Sequence, residues 1–238
     1  ELEAFYGDGL MNPLRKNKEV LNDFKRKLGS VMFAAQMGQQ PAPMEGNLIK
    51  KDWFQDYNKA EIIKRIIEEK ITINFYLDSA YDEKSERGND PSAMMAFARI
   101  DKNFYILECA EVWLNFPDLI KFLPTFCRRN LGTKASTIYI EPKASGVSIY
   151  QVLRVSDIPF KIRKDNPPKD SKIVRLTAQT PTIEDLRVYV PMSESWAGSF
   201  ISQCVTFPNS KHDDMVDCLS ASLKLWKKMG SKTKRVTI

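Results

Sequence analysis

Two short runs of strand-forming residues each end in an acid, and this feature constrains the chain more than any other. Ile71-Thr-Ile-Asn-Phe-Tyr-Leu-Asp78 and Thr137-Ile-Tyr-Ile-Glu141 are rich in β-branched and aromatic residues. Such near-continuous apolar runs suit strands covered on both faces, the setting of parallel strands in α/β domains. Between them, Met94–Ile100 and Phe104–Glu108 read as two strands joined by Asp101-Lys-Asn103, a hairpin. Pro117 opens a helix to about Arg129, because proline suits a first helical turn. A helix is expected after Gly146. Residues 170–210 mix a helix, a short strand at Val188–Val190 and a helix near Ser195–Cys204, and a last helix runs from about Asp214 to Lys228. Strand, hairpin, helix, strand, helix is the order of a three-layer α/β domain with a mixed central sheet flanked by helices. If the two acid-ended strands are parallel neighbours, Asp78 and Glu141 emerge on one edge of the sheet.

Residues 1–70 have a different character. Leu14–Gln39 has helical periodicity, with Asn17 as the N-cap and Val20, Leu21, Phe24, Leu28, Val31 and Met32 recurring every three to four residues. Gln39-Gln-Pro-Ala-Pro43 stops it, since proline disfavours helix at itself and at the residue before. A second helix is expected over Lys59–Lys70. This stretch is expected to be an arm packed on the main domain of residues 71–238.

Phosphodiester cleavage needs an activated water and relief of charge on the leaving oxygen. Two hard divalent cations about 4 Å apart supply both, and hard cations take carboxylate oxygens. A suitable site therefore gathers three or more acids from separate segments. Asp78, Glu141 and the cluster His212-Asp-Asp-Met-Val-Asp217 are the candidates. Each also has a purely structural reading. Asp78 ends a strand before a turn, Glu141 precedes a proline, and Asp213 and Asp214 suit a helix start as caps and by the helix dipole. His212, the one histidine in the chain, reads equally as a solvated or capping residue. The coincidence of all three segments favours a site.

The wheel of the last helix bears on which acid would hold metal. Met215, Cys218, Leu219, Leu223, Leu225 and Trp226 form its apolar arc. Asp214 falls about 100° from the centre of that arc, and Asp213 and Asp217 about 160° away. Asp214 is therefore expected to point along the sheet edge as a direct ligand. Asp213 would cap the helix or assist the site, and Asp217 would support it from a solvent-facing position.

Composition narrows the class of partner. The chain has 238 residues, with 43% hydrophobic and 28% charged residues, as in ordinary globular domains, and a formal charge of +6, which suits a polyanionic partner. No apolar stretch approaches the roughly 18 residues of a membrane span. The four cysteines are too scattered for a CxxC motif, and they fit a reduced protein in a cytoplasm. The chain starts at Glu1 without a methionine or a leader-like segment, and it is expected to be part of a longer protein. Lys224, Lys227, Lys228, Lys232, Lys234 and Arg235 make a basic end, either a contact tail or a solvated terminus.

Three segments in order resemble the nuclease motifs of viral large terminase subunits. They are Tyr76-Leu-Asp78 with its polar loop to Gly88-Asn-Asp90-Pro, Ile138-Tyr-Ile-Glu141-Pro-Lys-Ala-Ser-Gly146, and Lys211-His-Asp-Asp214-Met-Val-Asp217. Leu28–Gln36, Pro41-Ala-Pro43 and Lys51-Asp-Trp-Phe54 resemble the segment joining the ATPase and nuclease halves of those proteins. The resemblance implies a ribonuclease H-like fold and an endonuclease that cuts concatemeric double-stranded viral DNA during packaging in a bacterial host cytoplasm. It also implies two Mg²⁺ or Mn²⁺ ions held by Asp78, Glu141 and Asp214, with Asp213 a further metal ligand and Asp90 and Asp217 nearby. Lys84, Arg87, Lys143 and Lys211, beside these motifs, would contact DNA phosphates. In the whole protein, portal and small terminase subunit are the implied partners. The motor half's GxxxxGK[ST] loop does not occur here, so this chain is not expected to hydrolyse ATP. Two alternatives remain: another ribonuclease H-like nuclease of junction-resolvase or transposase type, and a non-catalytic DNA-binding packaging module.

Overall fold

In a computed structural model of the chain, residues 16–37, 39, 48–79, 91–142, 144–210 and 212–230 are described. The elements in chain order are α1 (Lys18–Met37), β1 (Phe54–Gln55), α2 (Lys59–Glu68), β2 (Ile73–Asp78), β3 (Ser92–Ile100), β4 (Asn103–Val112) and α3 (Phe116–Arg129). They continue with β5 (Thr137–Ile140), α4 (Ala144–Val155), β6 (Lys161–Lys164), α5 (Lys172–Thr177), α6 (Thr180–Glu184), β7 (Val188–Tyr189), α7 (Ala197–Thr206) and α8 (Asp214–Gly230). No described helix is long and apolar enough to cross a membrane.

The seven strands form one mixed sheet in the order β1-β7-β4-β3-β2-β5-β6. The hairpin strand β3 runs antiparallel to β2 and β4, and the other pairings are parallel. Side chains alternate across a strand, so each strand feeds two core layers. Phe75 and Leu77 of β2 and Ile138 and Ile140 of β5 join Ile66 of α2, Leu119 and Leu123 of α3 and Ile149 of α4 in one layer. Tyr76 of β2, Met95 and Phe97 of β3 and Ile106 of β4 face Leu176 of α5, Phe200 of α7 and Leu219 of α8 in the other. The result is the three-layer α/β architecture with a mixed sheet that the sequence predicts.

Three local departures have identifiable causes. Helix α1 is capped as expected, with Val20 N donating to Asn17 Oδ1 at 2.9 Å. It breaks at Gly29, where φ is 76° and ψ 163°. The broken end is recapped from a distance: Ser30 N donates to Glu184 Oε2 at 2.9 Å. Strand β6, Lys-Ile-Arg-Lys, is absent from the sequence expectation, because an edge strand with one apolar residue lacks the buried pattern. Residues 48–68 also contribute to the sheet and core, with Phe54 pairing with Val188 and Leu48 and Ile49 buried.

Helix α4 starts at Ala144, ahead of the expected Gly146. A Cβ at Gly146 would lie 1.9 Å from the carbonyl oxygen of Glu141. Only a glycine lets the first turn of α4 lie against the end of β5. Gly146→Ala should therefore cost about 1–3 kcal/mol and lower the thermal midpoint by roughly 2–12 °C. Gly198→Ala, with open space around it in α7, serves as the control and should be neutral or slightly stabilising. Equal melting temperatures for the two variants would contradict this account.

Candidate active site at the carboxyl ends of the parallel strands

Asp78 is the last residue of β2, and Glu141 follows β5 directly. The two strands are parallel, with Leu77 opposite Ile140, and the ladder runs one step further through Glu141 N donating to Leu77 O at 3.1 Å. The two acids therefore leave neighbouring strands about 4.8 Å apart. Alternation sends Leu77 and Ile140 into the α3–α4 layer and Asp78 and Glu141 to the opposite face, where α5 and α8 lie. Both acids are buried, and both have polar partners.

Helix α8 crosses this face. Cys218 Sγ donates to the carbonyl of Ala93, the residue paired with Asp78 across β2 and β3, at 3.3 Å. Asp214 lies one turn earlier on the same helix, at its start. Its carboxyl is pushed up to about 6: burial is the main cause, Asp213 and Glu111 add repulsion, and Lys172 opposes them. Asp213 accepts from Lys172 Nζ at 2.5 Å, and its carbonyl accepts the amide of Asp217 at 3.0 Å, so it stands at the helix entrance.

Asp217 departs from the wheel. It is 4% exposed rather than solvent-facing, paired with Arg175 Nη2 at 2.7 Å and Lys172 Nζ at 2.9 Å. Arg175 Nη1 also lies 3.8 Å from Glu141 Oε1, so one guanidinium bridges the two acids. The wheel assumes a wet face, but α5 covers it, and α8 is buried without a break from Met215 to Leu223.

Four residues beyond the expected set line this edge. Lys172 and Arg175 come from α5, whose Ser171 cap accepts from Val174 N at 3.3 Å. Asp165 follows β6, its N–H donating to Ile140 O at 2.9 Å beside Glu141, and Tyr76 donates its hydroxyl to Asp165 Oδ2 at 3.4 Å. Glu111 of β4 shares the row of Ala93 and Asp78, and accepts from Gln203 Nε2 at 2.7 Å. A cleft of about 240 Å³ opens beside Glu141, with Asp165, Arg175, Gln179 and Lys224 among its walls. Its place just after the charged strand 161–164 is the one sequence signal that could mark Asp165. His212 packs edge-on to Trp113, with ring centroids 6.3 Å apart. Lys84, Arg87, Asp90, Lys143, Lys211 and residues 231–238 of the basic end lie outside the described residues.

The donor set is all carboxylate, which is the chemistry a hard cation requires. Among the described residues, no three His, Cys, Asp or Glu side chains are gathered closely enough to hold one ion. Lys172 and Arg175 stand among the acids in that arrangement, neutralising Asp213, Asp217 and Glu141.

Residues 131–225 match the family model described as the terminase RNaseH-like domain. A comparison with the sequences of curated proteins finds no match. Among solved structures, the human cytomegalovirus terminase nuclease domain is 14% identical, with a TM-score of 0.50 over 65% of this chain and 82% of that one. Its manganese-soaked form gives 13% identity and 0.52, over 70% and 87%. The large terminase of a thermophilic bacteriophage gives 11% and 0.60, over 92% of this chain and 58% of that chain. The order of elements and the mixed sheet agree with the fold of these solved structures, and the match to the terminase RNaseH-like domain model runs from β5 into α8.

Proposed function

We propose that this chain is a metal-dependent DNA endonuclease that cuts concatemeric viral DNA during genome packaging. The observation that carries this reading is the parallel β2–β5 register, which sets Asp78 and Glu141 side by side beneath the helix that begins at Asp214. The family match and the manganese-soaked viral relative support it. In this reading Asp78, Glu141 and Asp214 would hold two Mg²⁺ or Mn²⁺ ions, with Asp213 beside them. Bound metal would acidify a water and neutralise charge on the leaving oxygen.

The chain's own residues do the rest. Arg175 fixes Glu141 against Asp217, and Lys172 holds Asp213 at the entrance of α8. Freeing the acids for two metal ions requires these side chains to yield, because both kinds of cation compete for the same carboxylates. Lys84, Arg87, Lys143 and Lys211 would neutralise phosphates flanking the cut. Residues 1–70 are proposed as the arm towards a motor half, and portal and small terminase subunit as partners of the whole protein.

Plasmid nicking and linearisation by the purified chain should require Mn²⁺ or Mg²⁺ and stop in EDTA. Asp78→Ala should lower the cutting rate at least about a thousandfold with an unchanged circular dichroism spectrum. Cutting by that variant at the wild-type rate would overturn the assignment.

Asp214 gives a second expectation, on stability. Its carboxyl titrates higher in the fold than its ordinary value, so folding favours the protonated form. Stability from this group is full at low pH and is lost as pH rises from about 4 to about 6. In EDTA at pH 7, Asp214→Asn should therefore melt above the wild type, and the gap should close below pH 4. Saturating Mn²⁺ should raise the wild-type midpoint and leave the variant's nearly unmoved. A pH-independent gap would refute the burial argument.

A further inference from the structure

Trp113 follows β4 directly and is 58% exposed. Exposure on that scale sets it apart from Trp226, which is 2% exposed, and from Trp53 and Trp196, which pack against the core. Strand alternation puts it on the same face as Glu111, the face that α8 crosses. Glu111 shares a register row with Ala93 and Asp78. Two strand spacings across and two residues along place Trp113 about 12 Å from Asp78, just past the carboxylates. The indole is oriented by His212, edge to face at 6.3 Å and 84°. His212 lies two residues before Asp214, so the contact ties the ring to the entrance of α8.

An apolar ring left in water beside buried acids suits a partner with a flat, uncharged face. The edge around it carries Glu111 and Asp214, whose charges repel a phosphate backbone. Affinity for a DNA strand here must come from cations or from contacts indifferent to charge, and base stacking on an aromatic ring is such a contact. We infer that Trp113 is a stacking platform for a nucleobase displaced from the strand being cut. This deepens the DNA-cutting reading and rests on it. Inside a B-form duplex both faces of a base are already stacked, so the platform engages only a frayed, kinked or single-stranded segment within a few nucleotides of the scissile phosphate. The site therefore prefers DNA whose pairing is open on that side.

The test is binding of the full chain in EDTA to an oligothymidylate and to a blunt duplex of equal length. Oligothymidylate should quench the wild-type tryptophan fluorescence, and Trp113→Phe should remove most of that quench while keeping affinity within about threefold. Trp113→Ala should weaken oligothymidylate roughly tenfold or more and duplex less than twofold. The exposed position leaves the fold intact in both variants, which circular dichroism checks. If the wild type binds DNA and Trp113→Ala binds both ligands equally well, the stacking platform is wrong and the nuclease reading stands. If the wild type binds neither ligand and also cuts no plasmid with Mn²⁺, the DNA reading itself fails and the platform with it; if it cuts with Mn²⁺ but does not bind oligothymidylate, the platform alone fails.

Discussion

The hydrogen bond from Glu141 N to Leu77 O extends the β2–β5 ladder past the last paired strand residues, and the candidate site depends on it. A β-strand presents alternate residues to opposite faces, so a one-residue slip would turn Glu141 into the apolar α3–α4 layer and bring Ile140 to the site. Two features oppose such a slip. Ile138, Ile140, Phe75 and Leu77 are all fully buried on the far face and have nowhere else to go. The first turn of α4 presses Gly146 against the carbonyl of Glu141, which fixes the backbone beyond the strand end. Register, core packing and the acids' positions are thus one constraint seen at three levels.

Around that fixed pair, electrostatics is arranged by α5. Buried carboxylates are costly unless paired, and removing one partner of a buried pair leaves an uncompensated charge. Arg175 and Lys172 supply the pairing for Asp217, Asp213 and Glu141 from a helix of six residues. Lysine and arginine differ in this role. The forked guanidinium reaches Glu141 and Asp217 together, whereas the Lys172 ammonium serves as a point charge between Asp213 and Asp217. In the proposed chemistry, these same cations hold the acids in place when divalent ions are not bound.

Much of this is legible in the sequence, and the illegible parts share a cause. The runs ending at Asp78 and Glu141 announce buried strands through their own residues, and the arc of Met215, Cys218, Leu219, Leu223, Leu225 and Trp226 announces the core face of α8. Each is a local pattern with a local meaning. Asp217 defeats the helical wheel because the α5 side chains that cover it lie about forty residues upstream, and a wheel knows nothing of them. The break at Gly29 has the same origin, since it is closed by Pro181 and Glu184 from the other end of the chain. Asp165 escapes a sequence reading because its strand is a charged edge. Glu111 escapes it because β4 runs past Glu108, where the sequence alternation weakens.

The entrance of α8 sets two opposing effects against each other. The positive end of a helix dipole favours an ionised acid by roughly 0.3–1 kcal/mol near a surface. Burial and the neighbouring Asp213 and Glu111 push the other way at Asp214, and they win, since its carboxyl is raised rather than lowered. The helix tolerates this because the remainder of it is anchored independently. Met215, Leu219, Leu223, Leu225 and Trp226 are all buried, and side chains of this kind contribute about 1.5–3 kcal/mol each when fully buried. Summed over five positions, that anchoring exceeds the cost of one strained acid several times over. The fold can therefore keep an unfavourably placed carboxylate at the sheet edge, where the proposed cation would relieve the strain.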